Sequence, residues 1–326
     1  MRKKKVLVCG ASGFIGRNMA ETLARRDDFV VYGTYFKTPL AGHTGFEAIK
    51  ADLTKEDEVA KVVKGMDIII QAAATTSGAK DIVTKPYYHV TDNAVMNSLI
   101  FRSAYEHKVA HVVFFSCTVM YKSASLPAKE TDFNANDDIF PAYFGVGWTK
   151  VYLEKMSEFY SRLGNNKYTV IRHSNIYGPH DKYDLERSHV FGATVTKVMT
   201  APAGGKITVW GSGEEERDLL YISDLVDFVE LALDKQQASF ELFNAGSGSS
   251  ISIKGLVQRI ISASAKDITA HHDLSKPTIK TKLCLDITKA KKALGWQPGI
   301  SLDEGIRKTL QWYERNYSKN DRRQQP

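Results

Sequence analysis

Short apolar runs alternate with longer amphipathic stretches along the first half of the chain. The runs are rich in valine, isoleucine and phenylalanine, and several are apolar at consecutive rather than alternate positions. Strands of this kind are buried on both faces, which is typical of a parallel sheet covered by helices on its two sides. The pattern predicts strands at residues 5–9, 30–34, 46–51, 67–74, 111–116 and 168–172.

The helical stretches between these strands set the expected topology. Crossovers between parallel strands are right-handed, so alternating strands and helices build a doubly wound sheet. We therefore predict an α/β fold with a Rossmann sheet. The sequence has no internal repeat and no low-complexity run, and the polar residues 318–326 are expected to form a flexible tail.

Three glycines lie between the first predicted strand and the helix after it, with the spacing Gly-x-x-Gly-x-x-Gly. In a dinucleotide site the first turns the chain, the second lets the backbone approach the pyrophosphate, and the third lets helix and strand pack closely. The helix N-terminus also offers unpaired N–H groups to the phosphates. The alternative is an ordinary glycine-rich turn. The cofactor-binding residues predicted here are Gly10, Ser12, Gly13, Phe14, Ile15 and Gly16.

The end of the second predicted strand bears on the choice between NAD and NADP. An acidic residue there would bind the ribose 2′-hydroxyl of NAD. The chain has Thr34, Tyr35, Phe36 and Lys37 instead. Because Lys37 or Arg17 could pair with a 2′-phosphate, the pattern favours NADP over NAD. The alternative for Lys37 is a solvated loop charge.

Composition and charge exclude several classes of protein. The net charge of +7 is spread over scattered lysines, which indicates acidic small-molecule ligands rather than nucleic acid. No apolar run reaches membrane-spanning length and no signal peptide is recognisable, so we expect a cytoplasmic protein without a membrane partner. The cysteines Cys9, Cys117 and Cys284 lack paired spacing, so neither a disulfide framework nor a metal site is predicted.

The glycine spacing resembles that of the extended short-chain dehydrogenase/reductase family, also known as the NAD-dependent epimerase/dehydratase family, whose members mostly act on nucleotide sugars. Two further segments continue the resemblance. Asp52-Leu53, after the third strand, implies a contact with the adenine. Ala72, Ala73 and Ala74, at the end of the fourth, imply a small-residue turn along which the cofactor passes. The alternative for both segments is packing at strand ends.

In this family the chemistry depends on a Ser or Thr that binds the reacting oxygen, a Tyr that transfers the proton, and a Lys four residues later that lowers the pKa of that Tyr. Residues 116–121 resemble the family's Ser-Ser-x-x-Val-Tyr segment, whose Ser/Thr position aligns with Cys117. A shift of one residue aligns it with Thr118, which we favour because a thiol donates weakly. Lys150 matches the family's lysine, which also holds the nicotinamide ribose.

The tyrosine position departs from the family pattern, because Val146 lies four residues before Lys150. Tyr143 precedes Lys150 by seven residues, which would put it near the same helical face but one turn further back. Three hypotheses follow. Tyr143 transfers the proton, a His or Cys replaces it, or the protein binds its ligands with little or no turnover.

The second half resembles one subfamily, the GDP-fucose synthases. Its Asn-x-Tyr-Gly-Pro-His-Asp segment begins at Asn175, and Ser-His-Val begins at Ser188. The resemblance implies that Asn175 and Ser188 contact the nucleotide sugar and that His189 acts as an acid. The alternative for His189 is a surface or packing role. The epimerising cysteine of the subfamily aligns with Val119, so oxidation or reduction at C4 fits better than epimerisation at C3 and C5.

Trp210 and Arg217 extend the predicted substrate site, in a segment that resembles the family's Gly-x-Gly-x-x-x-Arg-Asp. The guanidinium fork of Arg217 suits the oxygens of a diphosphate. A surface ion pair with the acids before it is the alternative.

The expected organisation is a Rossmann domain of residues 1–172 plus about 221–250, and a smaller C-terminal α/β lobe of residues 173–220 plus about 251–317 that binds the substrate. The helices near residues 92–107 and 142–163 are apolar around much of their circumference. In this family such a pair forms a four-helix interface, so we expect a homodimer. Burial of both faces in the core is the alternative.

The function we expect is an NAD(P)-dependent oxidoreductase that transfers a hydride at C4 of a nucleoside-diphosphate sugar, first of all a GDP-sugar. Within the family, the alternative is a C4 epimerase or a dehydratase that recycles its cofactor. A dehydratase normally has an acid pair beside the Ser/Thr position, and Thr118-Val119 offers none. From another class, the alternative is a non-catalytic NAD(P)-binding protein.

Overall fold

Seven parallel strands form the central sheet of the protein. The computed structural model describes residues 2–40, 42, 45–75, 86–164, 166–185, 188–276, 278 and 281–317. The strands of this sheet are β1 (Lys4–Cys9), β2 (Phe29–Tyr35), β3 (Glu47–Lys50), β4 (Ile68–Gln71), β5 (His111–Phe115), β6 (Lys167–His173) and β10 (Phe240–Ala245). Their order across the sheet is β10-β6-β5-β4-β1-β2-β3. The strand order therefore reverses between β1 and β4, where doubly wound sheets bind their ligands.

Helices cover both faces of this sheet, and two small sheets lie beside it. One small sheet has the order β11-β9-β7 and the other pairs β12 with β8. The remaining strands are β7 (Asn175–Tyr177), β8 (Gly205–Trp210), β9 (Glu216–Tyr221), β11 (Ser250–Ser252) and β12 (Ile268–Asp273). The helices are α1 (Phe14–Leu23), α2 (Glu56–Val63), α3 (Thr91–Glu106), α4 (Phe144–Leu163), α5 (Val190–Thr200), α6 (Ile222–Lys235), α7 (Ile253–Ser264), α8 (Thr288–Leu294) and α9 (Leu302–Asn316).

Alternate residues of β1 point into two separate hydrophobic cores. Val6 and Val8 belong to the core that includes α1 and α6, whereas Leu7 and Cys9 belong to the core that includes α2 and α3. All four side chains are fully buried. Burial on both faces explains why the strands are apolar at consecutive positions, and it confirms the predicted doubly wound α/β fold.

Two elements differ from their predicted bounds. The fourth strand ends at Gln71 rather than at residue 74. The Gln71 side chain bonds with the backbone N–H and C=O of Ala73, which turns the chain out of the sheet. The helix predicted near residues 142–163 begins at Phe144, after a short 3₁₀ turn over Pro141–Tyr143. The predicted tail, residues 318–326, lies outside the described residues.

Candidate functional site

The glycine turn between β1 and α1 has the backbone geometry that a dinucleotide requires. Gly10 has a φ of +76°, and a Cβ there would lie 2.6 Å from the Cα of Ala73. A Cβ on Gly16 would lie 2.2 Å from the carbonyl oxygen of Gly10, so the helix packs here only without a side chain. Gly13 is exposed and caps α1 without a side-chain hydrogen bond, which leaves N–H groups of the first helical turn facing outward. These residues fit a pyrophosphate.

The side chains around the turn divide into packed and accessible groups. Ser12, Phe14 and Ile15 are half-buried, and Phe14 and Ile15 pack against the core. The backbone N–H of Gly10 donates to Thr34 Oγ1 at 2.9 Å, which ties the turn to β2. The predicted residues of the turn therefore lie together at the carboxyl end of β1.

Lys37, at the end of β2, is exposed, with Nζ 5.5 Å from the centroid of the Phe36 ring. Arg17 is held by Glu21 at 2.9 Å and by the carbonyl of Gly42 at 3.1 Å. Asp52 accepts hydrogen bonds from the hydroxyl and the N–H of Thr54, which lower its pKa, and Lys37 lowers it slightly further. Lys37 is therefore the more accessible of the two predicted phosphate-binding cations.

The residues predicted to contact the adenine and to line the cofactor path differ in exposure. Leu53 is 7% exposed and packs in the core with α2 and α3, so its side chain is largely withdrawn from the surface. Ala72 and Ala73 are half-buried, and Ala74 is exposed. Ala73 lies directly against Gly10. A larger side chain on either partner would force β1 and β4 apart where the order of strands reverses.

Lys150 lies in the first part of α4, and its Nζ donates to the carbonyl oxygen of Phe115 at 2.8 Å. The ammonium group lies 4.7 Å from the centroid of the Phe114 ring. Burial lowers the pKa of Lys150, while the neighbouring Cys117 and Glu154 raise it. The lysine is thus fixed at the carboxyl end of β5.

The segment after β5 contains the two candidates for the Ser/Thr position. Cys117 is half-buried; burial raises the pKa of its thiol, and the nearby Lys150 lowers it. Thr118 is 9% exposed, and its carbonyl oxygen accepts the N–H of Tyr121 at 3.0 Å. Ser116 is withdrawn from the surface and donates to Glu154 at 2.6 Å. Both Cys117 and Thr118 therefore stay candidates, whereas Ser116 has a structural partner.

Tyr143 lies at the start of α4 in a different position from the predicted one. It is the N-cap residue, with φ −104° and ψ 3°, because the 3₁₀ turn ends there and the α-helix begins with the next residue. Tyr143 packs with Cys117 in a small apolar cluster. Burial raises the pKa of its phenol, and the charge of Arg217 lowers it. The 3₁₀ turn thus keeps Tyr143 outside the helix and against the apolar cluster that Cys117 also contacts.

A buried polar network lies directly beneath these residues. Glu154 accepts from Arg172 at 2.9 and 2.6 Å, in addition to the hydroxyl of Ser116. Arg172 also donates to Tyr121 Oη at 2.9 Å, and Tyr121 donates to Asn244 at 2.8 Å. These contacts connect α4, β5, β6 and β10. The sequence analysis missed Glu154, although it lies on the same helical face as Lys150, four residues later.

The predicted substrate residues occupy the second half of the protein. Asn175 begins β7 and donates to the carbonyl of Asp218 at 3.2 Å. Trp210 ends β8 and is 48% exposed. Arg217, on β9, donates to the carbonyls of Glu216 at 2.8 Å and Thr281 at 2.7 Å. Arg217 is also close enough to Tyr143 for their charges to interact, which connects this group to the catalytic candidates.

Ser188 and His189 precede α5. The Ser188 hydroxyl is directed into its own loop, toward the carbonyls of Lys182 and Asp184. His189 is exposed and caps the N-terminus of α5. Its charge acts on His173, at the end of β6, as does that of Lys150. Among the predicted substrate residues, His189 therefore interacts electrostatically with His173, as Lys150 does. The sequence analysis did not single out His173.

A cavity of about 490 Å³ opens beside Arg217. The other predicted site residues do not line it. Its walls come from the loop after β10, from β11, from α7 and from the start of α9, and include Ser247, Ser250, Arg259, Ile300 and Leu302. The catalytic candidates around Lys150 do not line this cavity, although Arg217 on its wall interacts with Tyr143.

The parallel sheet with a glycine turn at its point of reversal defines a Rossmann-type α/β protein. The chain belongs to the NAD dependent epimerase/dehydratase family, whose sequence model matches residues 6–246. Among the described residues, no helix is long and apolar enough to cross a membrane.

Relatives of known name are similar over almost the whole chain. GDP-L-fucose synthase of Azorhizobium caulinodans is 27% identical, with 95% of this chain and 96% of that protein covered. GDP-L-fucose synthase of Escherichia coli is also 27% identical, with 97% and 98% covered. Among solved structures, UDP-glucose 4-epimerase of Thermotoga maritima has a TM-score of 0.82 at 24% identity, with 95% of this chain and 99% of that chain covered, and so shares the fold.

Proposed function

We propose that the protein is an NAD(P)-dependent oxidoreductase that transfers a hydride at C4 of a nucleoside-diphosphate sugar, with a GDP-sugar as the first candidate. The observation that carries the proposal is Lys150, which is fixed on the carbonyl of Phe115 and lies near Cys117, which in turn lies near Tyr143. We assign this lysine as the donor to the nicotinamide ribose. The similarity to GDP-L-fucose synthases over nearly the full chain supports the choice of nucleotide.

The cofactor would lie across the glycine turn, with its pyrophosphate at the N-terminus of α1 and its adenosine toward Asp52 and Lys37. We favour NADP, because Lys37 is exposed and β2 ends without an acidic residue. When bound, the nicotinamide supplies the redox equivalent of the reaction. The residues of this chain hold the coenzyme and position the sugar.

The sugar nucleotide would lie opposite, held by the second half of the protein. Arg217 is suited to the diphosphate, and the exposed Trp210 offers a flat apolar surface to a base or sugar ring. Asn175 would contact the sugar through its amide. Ser188 would act by shaping its loop, because its hydroxyl is directed to backbone carbonyls.

The chemistry needs a donor to the sugar oxygen and a group that moves its proton. Thr118 or Cys117 would supply the donor. The proton carrier would be one of the titratable groups around Lys150, of which Tyr143 and His189 were predicted from the sequence. An epimerase or dehydratase with a recycled cofactor is a second candidate within this family.

The organisation is proposed as a Rossmann domain of residues 1–172 plus about 221–250 and a substrate lobe of residues 173–220 plus about 251–317. Strand β10 supports the assignment of residues 221–250 to the Rossmann domain, because it pairs with β6 in the central sheet. We also propose a homodimer through α3 and α4. Large apolar side chains on these helices are exposed, among them Val95, Phe144, Tyr152, Phe159 and Leu163.

The proposed activity is tested by following NADPH absorbance with GDP-4-keto-6-deoxymannose, and with the UDP- and dTDP-4-keto sugars. We expect oxidation of NADPH with the GDP-sugar, and a loss of about 100-fold or more in Lys150→Met. Tight NADPH binding without turnover of any sugar would favour the non-catalytic alternative. The dimer is tested by light scattering of Phe159→Glu, which is expected to be monomeric.

A further inference from the structure

His173 is a titratable side chain at the carboxyl end of β6, beside the candidate site, and it has no role in the proposal above. Its backbone pairs with Ala245 of β10, which fixes its place at the edge where parallel sheets bind ligands. Its Nδ1 lies 2.8 Å from the carbonyl oxygen of Ser174. Because a carbonyl only accepts hydrogen bonds, Nδ1 carries the proton, and Nε2 of the neutral ring is left with a free lone pair.

The neighbours of the ring place it next to Lys150. The His173 ring meets the Phe115 ring edge-on, with 6.1 Å between centroids. The carbonyl oxygen of the same Phe115 accepts the ammonium of Lys150. The titratable groups whose charges act on His173 are Lys150, from α4, and His189, from the N-terminus of α5. His173 and Lys150 therefore share Phe115 as a direct neighbour, and His189 is close enough for its charge to act on His173.

Its environment keeps the ring neutral. Burial lowers the pKa of His173 to about 4, the hydrogen bond to Ser174 opposes this shift, and the positive charges of Lys150 and His189 add to it. The imidazole is thus an unprotonated acceptor throughout the neutral pH range. Tyr143 differs, because burial raises the pKa of its phenol and keeps it a donor.

We propose that His173 is the catalytic base of the site, and that its Nε2 accepts the proton of the C4 hydroxyl as that carbon is oxidised. This inference rests on the proposed function. As the C4–H electron pair leaves for the nicotinamide of NAD(P), the O–H bond breaks, the C4–O bond becomes a carbonyl, and the proton forms a bond with Nε2. It then leaves to solvent. In the reduction, Nε2 first takes up a proton from solvent, because the ring is neutral at neutral pH, and passes it to the C4 oxygen as the hydride arrives at C4.

This assignment accounts for the valine at position 146. A site with its own base at the end of β6 needs no phenol four residues before Lys150. Tyr143 and His189 keep supporting roles, as a hydrogen-bond donor near Arg217 and as the solvent-facing group.

The test compares His173→Gln with His111→Gln. His111 is a matched control, because it is also a buried histidine whose pKa burial lowers to about 4, but it begins β5 at the opposite edge of the sheet. We expect His173→Gln to lower, by about 100-fold or more, the rate at which NADP⁺ oxidises the GDP-6-deoxyhexose formed by C4 reduction of GDP-4-keto-6-deoxymannose. Dissociation constants for NADP⁺ and this sugar nucleotide should stay within about threefold of wild type. His111→Gln should stay within about twofold of the wild-type rate.

A second measurement uses the wild-type protein and does not depend on turnover. Nitrogen NMR of the labelled histidines should show His173 protonated at Nδ1. Its Nε2 resonance should move when the GDP-6-deoxyhexose formed by C4 reduction of GDP-4-keto-6-deoxymannose is added with NADP⁺, but not with the 4-deoxy analogue of that sugar. An Nε2 resonance that ignores the 4-hydroxyl, or a His173→Gln rate within about fivefold of wild type, would overturn the assignment while the proposed function stands. Failure of the wild type to bind or oxidise any nucleotide sugar would overturn both.

Discussion

The glycine turn and the start of α4 are both expected to contact the same cofactor, but they follow the family pattern to different degrees. In the turn, each of the three glycines has its own structural reason. Gly10 has a positive φ, Gly13 is exposed where a pyrophosphate would approach the backbone, and Gly16 lies too close to the Gly10 carbonyl for a Cβ. At the start of α4 the lysine is fixed, yet its expected tyrosine partner is Val146. We therefore expect binding of the coenzyme and transfer of the proton to be separable properties, carried by different elements.

The largest expected effect concerns the support beneath α4. Glu154→Gln would leave Arg172 buried without a counter-charge, which is expected to lower the free energy of unfolding by about 3–5 kcal/mol. Urea denaturation measures it. Glu158→Gln is the matched control on the same helix, because Glu158 forms exposed pairs with Lys155 and Arg162, worth about 1 kcal/mol or less. Equal losses of stability from the two substitutions would contradict the view that the buried ion pair of Glu154 and Arg172 stabilises the region around α4.

The turn side has its own buried carboxyl group. Asp181 lies in the loop whose Pro179 carbonyl accepts from Asn18 of α1, and burial raises its pKa to about 7. A raised carboxyl pKa stabilises the folded state at low pH, and this contribution is lost as the pH rises from about 4 to about 7. Asp181→Asn should therefore be more stable than wild type by about 2–4 kcal/mol at pH 8, and by little at pH 4.5. Denaturation at both pH values decides. A stability gain of Asp181→Asn that is larger at pH 4.5 than at pH 8 would contradict the raised pKa of Asp181.

Gly13→Val tests whether the turn binds a coenzyme. Gly13 is exposed, and its φ of −87° is open to other residues. A Cβ there would lie 3.2 Å from the carbonyl oxygen of Gly10, so the turn must shift by a few tenths of an ångström, and circular dichroism checks that the variant folds. We expect its affinity for NADPH to fall about 100-fold, because two charge-assisted hydrogen bonds of about 1.5 kcal/mol each would be lost. Fluorescence titration of NADPH measures the affinity. Unchanged binding in a folded variant would place the coenzyme elsewhere.

The smallest expected effect concerns Val146, the residue of α4 at the position where the family has its tyrosine. Val146→Tyr restores the phenol four residues before Lys150. In the background of His173→Gln, we expect it to recover about tenfold of the lost rate, because a phenol can then serve as the base. In the wild-type background it should change the rate less. No recovery would mean that the two positions do not serve the same proton.

The central sheet and the glycine turn could be predicted from the sequence because both depend on local rules. Apolar runs such as residues 68–70 specify buried strands, and the spacing of Gly10, Gly13 and Gly16 follows from backbone contacts within one turn. The start of α4 was harder to predict from the sequence, because a 3₁₀ turn keeps Tyr143 outside the helix. His173 could not be recognised from sequence, because its neighbours Phe115, Lys150 and His189 come from separate elements that only the fold brings together.

The central claim is that a hydride moves between a nicotinamide coenzyme and C4 of a sugar nucleotide. The most direct measurement is mass spectrometry of the product formed from GDP-4-keto-6-deoxymannose with NADPH deuterated at C4 of the nicotinamide, on each face in turn. Our proposal predicts that NADPH deuterated on one face, but not on the other, gives a product with one deuterium at C4 of the sugar. A reduced product without deuterium from either, or no reduced product while NADPH is bound, would contradict it.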